Sequence, residues 1–105
     1  MGKAQRDKGK HGEREVASIL RDYGYNGQRG VQYCGKNGDA DVIGLPEVHI
    51  EVKRVEKLNI ETAMSQSKRD AREGEMPTVW HRKNDCEWLV TMRAEDFMKL
   101  YKKGD

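Results

Sequence analysis

A mixed α/β (α+β) fold, with a mixed central sheet flanked by helices, is predicted by three features of the chain. Apolar residues recur at helical spacing near both ends. Short stretches of alternating apolar and polar residues, bounded by Gly and Pro, lie between them. A capped helical stretch separates the third alternating stretch from the fourth, which permits a right-handed crossover and one parallel strand pair.

In residues 10–23, Val16, Ala17, Ile19, Leu20 and Tyr23 mark the apolar face of a helix, and Gly24 is placed to stop it. Residues 25–33, with Gly27, Gly30, Val31 and Tyr33, predict a short twisted strand, followed by a loop over 34–38. Residues 40–45 predict a second strand, Pro46 a turn, and 48–55 a third strand. In that third strand Val48, Ile50 and Val52 share one face and His49, Glu51 and Lys53 the other, so a one-residue slip would bury the charges. Asn59 is a suitable N-cap for a helix over 60–72, with Ile60, Ala63, Met64, Ser67 and Ala71 along one stripe. Residues 78–82 and 87–92 predict two further strands around a turn at 83–85, and 94–103 a last helix with acids in its first turn and lysines in its last.

With 105 residues, 36% charged and 35% hydrophobic, the chain suits one domain over 1–105, and its periodic apolar residues set it apart from a disordered tail. Residues 1–9 read as a basic, flexible arm. A formal net charge of +2 assigns any nucleic-acid binding to a local patch. Lys3, Arg6, Lys8 and Lys10 form such a patch, or else a solvated terminus. Cys34 and Cys86 form no Cys-x-x-Cys pair, and the chain shows neither a secretory segment nor a membrane-length apolar run. Reduced thiols in the cytoplasm are expected, in a host cell's cytoplasm if the gene is viral, with no membrane partner.

The chemistry concentrates in Asp41 and the strand His49-Ile50-Glu51-Val52-Lys53. Paired as a hairpin, the two segments bring Asp41, Glu51 and Lys53 to one face. Two carboxylates can hold a divalent cation, and a lysine can stabilise charge developing on a phosphate. That combination points to metal-assisted phosphodiester cleavage. A Glu-x-Lys triplet alone is weak, because a chain rich in Glu and Lys carries one by chance. Asp41 at hairpin distance and Glu13 on the first helix add the weight.

At these residues the chain resembles the PD-(D/E)xK nucleases, and among them the small archaeal-type Holliday junction resolvases. The matching pieces are Lys8-Gly9-Lys10-His11-Gly12-Glu13-Arg14-Glu15, Asp41-Val42-Ile43-Gly44 and Ile50-Glu51-Val52-Lys53, in the family's order and near its spacing over about the first half of the chain. The resemblance implies a restriction-endonuclease-like αβββαβ core. It also implies Asp41, Glu51 and the Val52 backbone carbonyl as ligands of Mg²⁺ or Mn²⁺, with Glu13 completing the acidic cluster through a water or a second metal. Lys53 would orient or help deprotonate the attacking water and stabilise the pentacovalent phosphorus. Arg29 would contact the DNA backbone, and Gln66 would face the metal. Branched DNA as substrate and a two-fold homodimer follow from the same likeness. The family's proline before the first acid is absent here: Ala40 precedes Asp41, and Asp39 is a competing carboxylate, either a second ligand or a loop residue. Asp41 is preferred because Val42 and Ile43 follow it directly.

Bland readings stand beside these. Arg29 reads equally as a surface charge, Gln66 as an exposed helix position, and Lys68 and Arg69 as either phosphate contacts or a solvated face. His11, His49 and His81 lack metal-ligand spacing, although His49 shares a face with Glu51. Trp80 and Trp88 are expected in the core or at a dimer face. Two other functions remain open: a restriction-like or general nicking nuclease on duplex, flap or single-stranded DNA, and a nucleic-acid-binding module without catalysis.

Overall fold

A computed structural model describes the backbone of residues 3–30 and 40–104, and the side chains of 8–30 and 40–104. The side chains of Lys3 and Arg6, the carboxylate Asp39 and the loop with Cys34 lie outside the described residues. The described elements are α1 (Lys3–Asp22), β1 (Gln28–Arg29), β2 (Val42–Ile43), β3 (Val48–Arg54), α2 (Ile60–Asp70), β4 (Met76–Arg82), β5 (Leu89–Met92) and α3 (Ala94–Lys103). The strands form one sheet in the order β1-β2-β3-β4-β5, with β3 and β4 parallel and the other neighbours antiparallel. This is the expected mixed sheet, with α2 as the crossover.

The start of the first helix departs from the sequence reading. The segment read as an arm is helical from Lys3 onward, because Ala4, Gln5 and Arg6 are good helix formers and no proline interrupts the run. Apolar periodicity begins only later, so the pattern that marks the helix misses its first turns. Beside the Arg29–Val42 pair of β1 and β2, Gly30 N–H bonds to Asp41 C=O at 2.8 Å, and residues 31–33 of the first predicted strand lie outside the described residues.

α1 covers one face of the sheet. Val16, Ala17 and Leu20 meet Val42, Ile50 and Val52, with Leu45, Val48, Trp80 and Trp88 packed around them. Each fully buried aliphatic side chain there contributes about 1.5–3 kcal/mol. Gly12 permits the close approach of helix and strand, since a β-carbon at that position would stand 3.2 Å from Arg54 Cβ and 3.3 Å from Val52 Cγ1. Glu15 ties the same helix to the far strands. It accepts the Trp88 Nε1–H at 3.0 Å and lies 3.4 Å from Arg82 Nε and 3.9 Å from Arg54 Nε, while Arg82 also stacks over the Trp88 ring.

α2 lies over the opposite face, capped at Asn59, whose Oδ1 accepts the Thr62 N–H at 3.0 Å. Ala63 and Ser67 are its buried residues, and the Ser67 hydroxyl donates to the Thr78 carbonyl at 2.9 Å. The strand face with His49 and Glu51, which alternation reads as polar and solvated, is therefore covered. His49 is 1% and Glu51 2% exposed. A strand that continues into a parallel partner through a crossover helix is sandwiched on both faces, and β3 is such a strand.

α3 has the opposite character. Asp96 is buried and bonded by Arg93 Nε at 2.8 Å, and Lys103 Nζ reaches Glu47 Oε2 at 2.9 Å. Ala94, Phe97, Met98 and Tyr101 are exposed, the two aromatic rings stacked 6.2 Å apart. Among the described residues no helix is long and apolar enough to cross a membrane.

Candidate active site

The hairpin register carries Asp41 to its place. Val42 pairs with Ile50, and Asp41 N–H donates to Ile50 C=O at 3.0 Å, so Asp41 and Glu51 stand side by side on the face that α2 covers. One carboxylate oxygen of Asp41, Oδ2, accepts the Val52 N–H at 2.8 Å, in place of a backbone partner. In an extended strand the N–H and C=O of one residue point to the same edge. The Val52 carbonyl thus faces the edge on which Asp41 sits.

Burial pushes the Asp41 carboxyl up to about 7. The charge of Glu51 adds to the rise, the Val52 N–H counteracts it, and Glu13 and a hydrogen bond with Glu51 add again. Two carboxyl groups held this close and partly dehydrated cannot both ionise cheaply. A cation between the two would relieve that repulsion.

Glu13 reaches the neighbourhood from α1, and Arg29 holds it: Arg29 Nε donates to Glu13 Oε1 at 2.9 Å. Arg29 thus has a partner of its own at the site. Its guanidinium offsets the third acid of the cluster. Lys53 follows Glu51 by two residues on the same face of β3 and is half-buried.

His49 completes the arrangement. Its Nε2 lies 2.8 Å from Glu51 Oε1, with both side chains buried, and its Nδ1 lies 3.8 Å from Glu75 Oε1. Burial would lower the pKa of the imidazole, but the hydrogen bond and charge of Glu51, with Glu75 and Asp70 beyond, outweigh it. The net shift is upward from 6.5.

No protein-family model, curated protein or solved structure matches this chain. The site has to be judged on its own chemistry. Among the described residues no group of three or more His, Cys, Asp and Glu side chains is arranged to hold a metal ion. The donors present are the Asp41–Glu51 pair and the Val52 carbonyl. Those hard oxygens suit Mg²⁺, which keeps most of its water and binds through one or two carboxylates together with substrate phosphate.

The other positions named from the sequence fall around this centre or apart from it. Lys8 is 3.9 Å from Glu56 and Lys10 is exposed. Gln66 is half-buried on α2 beside Ser67, and Lys68 is exposed. The sequence reading did not assign Glu75, or the burial of His49. The crossover helix was the available signal for His49, because it roofs the strand; nothing in the sequence links Glu75, 26 residues away, to it.

Proposed function

We propose that the chain is a Mg²⁺- or Mn²⁺-dependent DNA endonuclease that hydrolyses phosphodiester bonds, acting on branched DNA as a Holliday junction resolvase does. The observation that carries the reading is the pairing of half-buried Asp41 with buried Glu51, the Asp41 carboxyl raised to about 7. An acidic cluster of this kind gains nothing by facing phosphate unless a cation lies between them. Asp41, Glu51 and the Val52 carbonyl would hold the ion, which would supply charge neutralisation at the phosphate and a more acidic water. Asp41 and Glu51 orient that centre from a rigid hairpin. Lys53 brings a positive charge to the phosphate oxygens as negative charge builds there. Glu13, held by Arg29, would complete the acidic cluster through a water or a second metal.

A resolvase cuts two strands symmetrically and is therefore a two-fold dimer. The outward apolar face of α3 supports this. Glu95 lies in its first turn and Lys102 in its last, so an antiparallel pairing of two copies would set Glu95 against Lys102 across a Phe97 and Tyr101 seam. Phe97→Glu is expected to turn a sedimenting dimer into a monomer that still folds, since Phe97 is 53% exposed in the single chain. A wild-type protein that sediments as a monomer would leave a nicking nuclease and remove the resolvase.

The function is tested by incubating the protein with a labelled four-way junction, a flap, a linear duplex and a single strand at equal concentration. Incision of the junction in Mg²⁺, none in EDTA, and slower cutting of the other three are expected. Salt-sensitive binding that never leads to cleavage would overturn the reading.

A further inference from the structure

His49 is a buried, engaged side chain for which the proposed reaction has no chemical step. Both sides of its ring face carboxylates. Nε2 meets Glu51 Oε1 at 2.8 Å, and Nδ1 lies 3.8 Å from Glu75 Oε1. Glu75 is itself anchored, since that oxygen accepts the Arg72 N–H at 2.9 Å in the turn that follows α2. The backbone of His49 is fixed as well. Its carbonyl accepts the Thr78 hydroxyl at 2.7 Å, and Thr78 Oγ1 accepts the Trp80 Nε1–H at 3.1 Å. A histidine so held, and only 1% exposed, cannot swing towards solvent or substrate.

A buried ion pair of this sort is a poor source of stability. Removing two charges from water costs about as much as their attraction returns, and an apolar pair of similar volume often does as well. Its value must be sought in what it does to Glu51. One carboxylate oxygen of Glu51 is committed to the imidazole, which restrains the plane of the group, while the same carboxyl also hydrogen-bonds Asp41. Ligand carboxylates are commonly oriented by such a hydrogen bond.

We propose that His49 is a positioning residue that sets the Glu51 carboxylate for the divalent cation, with Glu75 backing the ring from the other side. The proposal rests on the reading that Asp41 and Glu51 bind the cation. It adds that their affinity for it depends on a side chain that never touches it.

Mn²⁺ binding is measured by electron paramagnetic resonance titration, without DNA, for the wild type, His49→Leu, His49→Gln and Glu75→Gln. The Gln amide nitrogen can occupy the place of Nε2, so His49→Gln is expected to bind within a few-fold of wild type. His49→Leu is expected to bind about 10–100-fold more weakly, and Glu75→Gln to lie between the two. Should His49→Leu fail to fold, His49→Asn serves instead, because its amide stops short of Oε1. A wild type that binds Mn²⁺ and a His49→Leu or His49→Asn protein that binds it equally well would overturn the positioning role alone. A wild type that binds no Mn²⁺ would overturn the cation site itself, and the role of His49 with it.

Discussion

Asp41→Asn is expected to abolish Mg²⁺-dependent incision and, in EDTA above neutral pH, to melt several degrees higher than the wild type. The two effects have one cause. The Asp41 carboxyl titrates near 3.8 when unfolded and near 7 when folded. Between those values the folded state holds the extra proton, so each unit of rising pH removes about 1.4 kcal/mol of stability until the folded group has ionised. Asparagine carries no charge at any pH and escapes that loss. His49, with its raised pKa, contributes stability below pH 6.5 that also fades as pH rises through its folded value. It is common to both proteins and so drops out of the difference between them. Thermal melts from pH 4 to 8 should therefore show a steeper decline for the wild type, and Mg²⁺ at pH 8 should raise its melting temperature but not the variant's. An Asp41→Asn protein that cuts at the wild-type rate would remove Asp41 from the site.

Lys53→Met should cost about 10²–10³-fold in single-turnover incision rate, with the Mg²⁺ concentration for half-maximal activity unchanged. Methionine keeps most of the apolar stem of this half-buried residue and discards only the ammonium. A charge that acts on developing negative charge at the phosphate matters in the transition state and little to resting cation binding, so the rate falls while the metal dependence stays. If the half-saturating Mg²⁺ concentration moves and the rate at saturation does not, Lys53 belongs to the cation site instead.

Much of this arrangement was legible in the chain, for identifiable reasons. Period-two alternation across Val48–Arg54 fixed the strand, and Asp41 fell at hairpin distance from it, so the meeting of Asp41 and Glu51 needed only local geometry. The capping Asn59 and the terminating Gly24, at φ 91°, marked helix ends because each has a direct backbone role. What alternation cannot reveal is what lies above a face. His49 and Glu51 read as a solvated edge until α2 is laid over them. The Arg29–Glu13 pair, separated by 16 residues, depends on how α1 is rotated against the sheet, and no local pattern encodes that. The start of α1 was missed because propensity without an apolar stripe leaves no periodic mark.

The double grip on α1 has a mechanical meaning. Glu13 and Glu15 project about 200° apart around the helix axis. One is bonded by Arg29 of β1; the other is engaged by Trp88, Arg82 and Arg54 at the far strands. A cylinder pinned on two sides cannot roll. Glu13 is thus indexed to the sheet as a key is to its slot, and a disturbance at Trp88, which packs beside Gly12, has a rigid shaft along which to reach the carboxylates.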